Sequence, residues 1–220
     1  MTLIDLVYQD GDLVVLNKPA GLLSVPGKGD DKQDCLSARV QAVFPGACVV
    51  HRLDMATSGL MVMALNPATQ RALNRQFELR MVHKRYVAVV HGDLNSTVGP
   101  GGSTSNTWHL IDLPIAVDWP NRPLRVVDAA VGKPSQTHWQ VVHFDAARNT
   151  TRVALKPITG RSHQLRVHML AVGHPILGDA LYAPAHVQVR AARLLLHAEE
   201  LMVNHPHTGK SLVLSSRPPF

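Results

Sequence analysis

One stretch of this chain carries more information than any other: His51-Arg52-Leu53-Asp54-Met55-Ala56-Thr57-Ser58-Gly59-Leu60. It places the carboxylate of Asp54 between a basic pair and a Thr-Ser-Gly turn, and the apolar run over 60–65 predicts a strand after the turn. A side chain at the junction of a turn and a strand is in a common position to meet a substrate. An Asp there also often accepts hydrogen bonds from its own turn, so a purely structural role stays open on this basis alone.

The charge of the chain favours a polyanionic partner. Among 220 residues there are 22 Lys plus Arg against 16 Asp plus Glu, which gives a net charge of +6 and a pI near 9.7. Many basic proteins nevertheless bind no nucleic acid, so charge alone does not choose a partner. An apolar content of 45% indicates an ordinary globular protein rather than a disordered one.

The sequence predicts a cytosolic protein. Its only cysteines, Cys35 and Cys48, are too far apart for a CxxC motif, which favours reduced thiols. The first residues contain Asp5 and Asp10 but no basic residue, unlike a signal peptide. No apolar run approaches the roughly 18 residues of a membrane span. No long exposed apolar stripe is evident, which favours a monomer.

The apolar pattern predicts an α+β fold with a mixed, largely antiparallel central β-sheet flanked by helices and loops. Strands are predicted over 3–8, 13–17, 60–65, 84–91, 137–144 and 151–156, with further strand in 194–203 and 211–214. Asp34 is predicted to cap a helix to about Phe44, with Leu36, Val40 and Val43 on one side. A second helix is predicted from Asn66-Pro67 to about Arg80, and a third over 162–172.

Two loops stand apart from this pattern. Residues 95–107 are rich in Gly, Ser, Thr and Asn and predict a flexible insertion, because a strand pattern resumes beyond them. The run Asp118-Trp119-Pro120-Asn121-Arg122-Pro123 predicts a rigid loop, since its two prolines restrict the backbone.

Three sites form the candidate chemistry: Asp54, Tyr86 and the run over 158–168. Tyr86 is predicted in mid-strand, where an aromatic packed in the core is the alternative interpretation. A Thr-Gly turn is predicted to lead into the third helix, with Arg161 in its first turn and Leu165 one turn later on the same face. A cation at a helix N-terminus opposes the helix dipole, so Arg161 requires an anionic partner, and Asp54 is the candidate.

No metal site is predicted. His163 and His168 are five residues apart, not four as in a helical zinc pair. The run His205-Pro206-His207 has no third ligand or carboxylate at a recognisable spacing.

The three candidate runs, over 51–60, 84–90 and 157–168, resemble the three signature motifs of the RluA family of pseudouridine synthases and occur in the same order. Further matches are Asn17-Lys18-Pro19 with Gly21-Leu22, Gly132-Lys133-Pro134, the run over 173–179 and Leu196-His197-Ala198. The resemblance implies one pseudouridine synthase catalytic domain over 1–220 with 95–107 as an insertion, and no N-terminal S4 module. It implies that uridine in RNA is isomerised to pseudouridine without a cofactor.

The resemblance also implies roles for individual residues. Asp54 is the catalytic carboxylate, either as nucleophile or as the base that starts an elimination at the ribose. Tyr86 stacks on the target base, Leu165 packs under it, and Arg161 keeps Asp54 ionised. Arg52 fills the vacated space or holds a phosphate, with a surface salt bridge as the alternative. From the residues themselves, RNA contacts are predicted for His51, Arg71, Arg75, Lys84 and Arg85, with a solvated helix face as the alternative for the pair Arg71 and Arg75.

The RNA target is a separate question within the family. The runs over 22–27 and 118–123 favour the member that acts on two RNAs, at uridine 746 of 23S rRNA and at uridine 32 in the anticodon stem-loop of tRNA. A family member with a single rRNA or tRNA target is the first alternative, and a non-catalytic RNA-binding or RNA-folding protein is the second. A glycosidase fits poorly, because it uses two carboxylates across the bond.

Overall fold

The computed structural model describes residues 4–95 and 107–220. The predicted insertion over 95–107 lies outside these residues apart from its two ends. In chain order the elements are β1 (Leu6–Gln9), β2 (Leu13–Lys18), α1 (Leu36–Gln41), β3 (Cys48–Val49), β4 (Ser58–Ala64), α2 (Pro67–Glu78), β5 (His83–His91), β6 (His109–Asp112), β7 (Ile115–Val117), β8 (Arg125–Val127), β9 (Gln136–Asp145), β10 (Thr150–Pro157), α3 (Gln164–Ala171), α4 (Ala185–Gln188), β11 (Leu196–Asn204) and β12 (Ser211–Ser215). None of the helices within the described ranges has the length and apolar character that a membrane crossing needs.

The chain divides into two compact units, Met1–Lys84 with His197–Pro219, and Arg85–Leu196 with Phe220. In the first unit, β2 pairs antiparallel with β1 and with β4. Strand β4 also pairs in parallel with β11, where His197 lies opposite Ser58, and β12 pairs antiparallel with β11. Gly59 is required at the parallel pair, because its φ is +114° and a Cβ there would lie 2.3 Å from the Ala198 carbonyl oxygen.

The core of the first unit explains why β2 and β4 are apolar without alternation. Leu13 and Val15 of β2 face a cluster that includes Leu73 of α2, whereas Val14 and Leu16 face a second cluster. The second cluster contains Leu36 and Val40 of α1. Both faces of the two strands are therefore buried, and a strand buried on both faces appears in the sequence as a continuous apolar run.

The second unit is built on an antiparallel series in the order β5, β10, β9 and β6. Strands β7 and β8 form a separate hairpin, and β8 packs against α3. The other strand pairs named above are antiparallel, whereas β4 and β11 are parallel, so the predicted α+β class and its mixed, largely antiparallel sheet are confirmed.

Most predicted elements are confirmed, and the errors concern helix boundaries. Asn66 caps α2 as predicted, since its side chain accepts from the Thr69 amide at 2.8 Å. Asp34 does not cap α1: the cap is the Cys35 thiol, because the carboxylate of Asp34 is engaged by the Arg39 guanidinium at 2.6 Å. Val43 is 55% exposed rather than on the buried side, since α1 ends at Gln41.

Candidate active site

The turn that carries Asp54 is held from both sides by the last residue of β2 and by the loop that follows it. On one side the ammonium group of Lys18 donates to the carbonyl oxygens of Met55 at 3.1 Å, Leu22 at 2.8 Å and Pro19 at 2.9 Å. Lys18 is fully buried, so the structure places a cation in the interior of the first unit and surrounds it with carbonyl dipoles. The Gly21 amide donates to the same Met55 carbonyl at 2.8 Å. These contacts fix the residue that follows Asp54.

On the other side, the Ser24 hydroxyl fixes the residue before Asp54. It donates to the Leu53 carbonyl at 2.6 Å and accepts from the Leu53 amide at 3.1 Å. The Asp54 carbonyl accepts from the Thr57 amide at 3.1 Å, which closes the turn. Asp54 itself is half-buried. Its backbone position is thus set by residues about 30 positions earlier in the chain.

His51 has a structural contact within the same motif. Its Nε2 accepts from the Val62 amide at 3.0 Å, which places the ring proton on Nδ1, and the ring stacks on Phe77 at 4.8 Å. Burial, and secondarily the charge of Lys84, lowers the pKa of His51 to about 3. The imidazole is therefore neutral at physiological pH and adds no positive charge beside Asp54. A contact between His51 and RNA stays a prediction.

The remaining predicted catalytic residues lie in the second unit. Tyr86 lies in β5 opposite Leu155 of β10 and is half-buried, and its contact with the target base stays a prediction. Leu165 is 7% exposed and lies in the first turn of α3. The pairing of Asp54 with Arg161 stays a prediction.

Arg161 does not occupy the first turn of α3, so that part of the prediction is wrong. The helix begins at Gln164, after His163 in a left-handed conformation with φ 58°. The reason is the side chain of Gln164, whose Oε1 accepts from the Arg161 amide at 3.0 Å and the Thr159 hydroxyl at 2.7 Å. These hydrogen bonds satisfy the Arg161 amide outside the helix, so α3 does not extend back to include it. The argument from the helix dipole therefore does not apply to Arg161.

The same network anchors the Arg161 turn to β9. The side-chain nitrogen Nε2 of Gln164 donates to the Gln136 carbonyl at 2.9 Å and to the Thr137 hydroxyl at 3.0 Å. By contrast, the Arg161 guanidinium is exposed, and its hydrogen bonds within the described ranges 4–95 and 107–220 are two long ones, at 3.4 Å, to the Pro134 carbonyl. The backbone of Arg161 is thus held firmly while its charged group is accessible to a ligand.

The predicted RNA-contact residues differ in exposure. Arg52, Arg71 and Arg75 are exposed, as a phosphate contact requires. Arg85 is half-buried. Lys84 is also half-buried, lies 5.9 Å from the centroid of the Phe77 ring, and has a pKa lowered by burial. Exposure therefore favours the first three over Lys84 as phosphate ligands.

The fold brings two carboxylates near His205 that have no recognisable spacing to it in the sequence. Asp10, Asp12 and His205 bring one potential ligand atom each within 4.8 Å of one another. His205 Nδ1 accepts from the His207 and Thr208 amides, so its Nε2 proton is donated to Asp10 at 2.8 Å. Burial would raise the pKa of Asp10, but hydrogen bonds from Tyr8, the amides of Asp12 and Leu13, and His205 lower it to about 2. Sequence spacing could not find this cluster, because the Asp10 turn and His205 are 195 residues apart.

Three positioning residues were missed by the sequence interpretation: Lys18, Ser24 and Gln164. Lys18 closely follows the apolar run over 13–16, and this was a usable signal, because a lysine that extends a buried strand has little access to solvent. Ser24 and Gln164 carried no comparable signal, because their roles depend on contacts with backbone groups that only the fold brings near.

Comparison with known proteins identifies the family. Residues 12–171 match the family described as RNA pseudouridylate synthase. The chain belongs to this family. The RNA pseudouridine synthase activity and the RNA substrate implied by the sequence motifs are confirmed.

Curated relatives and a solved structure agree with this assignment. The chain is 51% identical over 215 residues to the dual-specificity RNA pseudouridine synthase RluA of Escherichia coli K12, covering 98% of this chain and 93% of that protein. It is 45% identical over 217 residues to RluA of Haemophilus influenzae, covering 99% and 94%. The structure of human RNA pseudouridylate synthase domain containing 1 is similar with a TM-score of 0.79 at 30% identity, over 99% of this chain and 84% of that one.

Proposed function

We propose that this enzyme forms pseudouridine in two RNAs, at uridine 746 of 23S rRNA and at uridine 32 in the anticodon stem-loop of tRNA. The observation that supports this most is the 51% identity, over nearly the whole chain, to a relative named as dual-specific. The proposed catalytic domain extends over residues 1–220, acts as a monomer in the cytosol, and includes 95–107 as an insertion.

Asp54 is the proposed catalytic carboxylate. In the reaction the N1–C1′ bond of uridine breaks, the base turns, C5 bonds to C1′, and the C5 proton is lost. Asp54 either attacks C1′ or removes a proton from the ribose to start an elimination. Both routes need an ionised carboxylate in a fixed position, and the contacts to Leu53 and Met55 supply the fixed position.

The other roles are distributed around the base. The uridine must leave its stack before reaction, at a cost of a few kcal/mol that is least in an unpaired loop. Tyr86 is proposed to stack on the extruded base and to assist removal of the C5 proton, and Leu165 to pack under it. Arg52 is proposed to fill the vacated space or to hold the phosphate of the target nucleotide.

The RNA outside the target nucleotide is proposed to lie on a basic surface. The residues proposed to contact this RNA are Arg71, Arg75, Lys84, Arg85 and His51. The exposed guanidinium groups of Arg71 and Arg75, one helical turn apart on α2, support a phosphate contact.

Arg161 is proposed to keep Asp54 ionised, because a neighbouring cation opposes the rise in pKa that burial under a base would cause. Removing one partner of a buried ion pair costs roughly 3–5 kcal/mol. We therefore expect Arg161→Ala to lower kcat by at least about 100-fold while the Kd for RNA changes by less than about 10-fold. Single-turnover kinetics and filter binding measure the two quantities. Near-normal kcat in this variant would contradict the pairing.

The two targets are tested with RNAs carrying tritium at C5 of the target uridine. One RNA is a 23S rRNA fragment, the other a tRNA anticodon stem-loop, and each is matched by a blank in which cytidine replaces that uridine and a distal uridine is labelled. We expect tritium release from both substrates and from neither blank. Release from one substrate only would indicate a single-target member of the family. Tight binding without release from either would indicate a non-catalytic RNA-binding protein.

A further inference from the structure

The loop over 118–124, between β7 and β8, holds a tryptophan that the fold leaves in solvent. Trp119 is 64% exposed, whereas Trp139 in β9 is 5% exposed and stacks on His109. An exposed indole gains little of the stabilisation that burial of its large apolar surface would supply. Folding stability therefore gives no reason for an indole at this position.

The loop that carries Trp119 is nevertheless well ordered by its own hydrogen bonds. The Asp118 amide donates to the Leu124 carbonyl at 3.1 Å, and the Leu124 amide donates to the Asn121 carbonyl at 3.0 Å. The side-chain amide of Asn121 donates to the Asp118 carboxylate at 3.0 Å. Pro120 and Pro123 further restrict the backbone. A ligand that binds here thus meets a preformed loop and pays little for ordering it.

One face of the indole is already covered by a cation. The guanidinium carbon of Arg122 lies 3.7 Å from the Trp119 ring centroid. Because the side chain is still 64% exposed, the opposite face of the ring is open. Arg125 adds a second guanidinium, whose Nη1 donates to the carbonyls of Pro123 and Leu124. An open aromatic face flanked by arginines is the arrangement that binds a nucleic acid base by stacking and its phosphates by charge.

The hairpin is also tied to the helix that carries Leu165. The Arg125 amide donates to the Tyr182 hydroxyl at 2.9 Å, and that hydroxyl lies 2.6 Å from Nδ1 of His163, directly before α3. Strand β8 packs against α3 itself. A ligand held by Trp119 is therefore anchored on the same unit that presents Arg161, Tyr86 and Leu165.

We propose that Trp119 is a stacking platform for an unpaired base of the RNA substrate, other than the target uridine. Arg122 holds the indole in place from behind and contributes positive charge. This deepens the proposed function, since it assigns part of RNA selection to a residue away from the chemistry. Stacking of this kind acts on binding rather than on the bond-breaking step, so its loss should appear in Kd and KM and not in kcat.

The test compares Trp119→Ala with Trp119→Phe on the anticodon stem-loop. For Trp119→Ala we expect Kd and KM to rise by about 10- to 100-fold, with kcat at saturating RNA within about 2-fold of wild type. Trp119→Phe retains an aromatic face and should stay within about 5-fold in Kd. Val131→Ala, which removes an exposed apolar side chain on the loop after β8, is the matched control and should change neither quantity.

The base itself can be located with stem-loops in which one loop nucleotide at a time is abasic. At the stacked position, the abasic RNA should weaken binding to wild type but not weaken it further in Trp119→Ala. An unchanged Kd in Trp119→Ala, or an equal change in Val131→Ala, would overturn the proposal. Because Kd is measured apart from tritium release, a wild-type protein that binds without turnover would refute the proposed function while these Kd ratios still decide the role of Trp119.

Discussion

The Asp54 turn and the Arg161 turn are fixed in opposite ways. Residues on either side of Asp54 are held by Lys18 and Ser24, which lie about 30 residues or more away in sequence. The Arg161 turn is held by Gln164, three residues away, and through it by β9. The first turn is held directly by residues that are distant in sequence, whereas the second is held by a near neighbour that is itself anchored to another strand.

The side chains of Asp54 and Arg161 also differ in exposure and in how they are held. Asp54 is half-buried, and its position is fixed by contacts to the residues before and after it. Arg161 is exposed, and its guanidinium donates to the Pro134 carbonyl at a long distance, 3.4 Å. A carboxylate that reacts must be preorganised, because small displacements of a reacting group are costly. The guanidinium of Arg161, which is proposed to support this carboxylate, can stay mobile until the substrate excludes water.

Among the residues that position the two turns, the largest effect is expected for Lys18→Met. The substitution keeps most of the apolar stem but removes the ammonium group, which donates hydrogen bonds to three carbonyl oxygens in the interior of the first unit. Hydrogen bonds to a charged donor contribute about 1.5–3 kcal/mol each and are not additive, so we expect a loss of about 3 kcal/mol. Displacement of Asp54 should lower kcat by about 100-fold. Urea unfolding and tritium release measure the two changes.

Lys28→Met, at an exposed lysine of the same loop, is the control and should match wild type. If Lys18→Met does not fold, Ser24→Ala provides a milder disturbance, since it removes only the two bonds to Leu53. That variant should lose about 1–2 kcal/mol and a few-fold in kcat. If Lys18→Met or Ser24→Ala folds and has the kcat of wild type, the contact that it removes does not position Asp54.

A smaller effect is expected for Gln164→Leu, which has a similar volume but none of the polar contacts. It leaves the Arg161 amide and the Gln136 carbonyl without this partner, so a loss of about 2 kcal/mol in stability is expected. Because the exposed guanidinium of Arg161 can adjust, kcat should fall by only about 10-fold. Gln188→Leu in α4 is the control. An effect on kcat larger than that of Lys18→Met would reverse the ranking of the two turns.

Replacement of His51 is expected to have the smallest effect at neutral pH, and its contribution to stability depends on pH. Its pKa is about 3 in the folded state and about 6.5 when unfolded, so its stabilising contribution is complete above pH 6.5 and is lost as the pH falls towards 3. Each pH unit within this range costs about 1.4 kcal/mol. We expect wild type to lose about 2.5 kcal/mol more than His51→Phe between pH 7 and pH 4.5. Parallel pH dependences of the two unfolding free energies would contradict this assignment.

The sequence predicted the elements and the fold class well but not the contacts that position the site. Continuous apolar runs identified β2 and β4 because burial on both faces leaves no room for polar residues. Asn66 and Pro67 identified the start of α2 because capping is a local property. The start of α3 was misplaced because Gln164 folds back on its own turn, and that behaviour depends on Gln136 and Thr137 of another strand. Ser24 and the Asp10–His205 pair were out of reach for the same reason.

The most direct test of the catalytic assignment is tritium release by wild type and by Asp54→Asn under single-turnover conditions. Asn keeps the size of the side chain and removes its charge, and RNA binding and thermal unfolding of both proteins establish that only the chemistry has changed. We predict a rate at least about 1,000-fold lower for Asp54→Asn, with Kd within about 10-fold of wild type. A variant that releases tritium at the wild-type rate would contradict the assignment of Asp54 as the catalytic carboxylate.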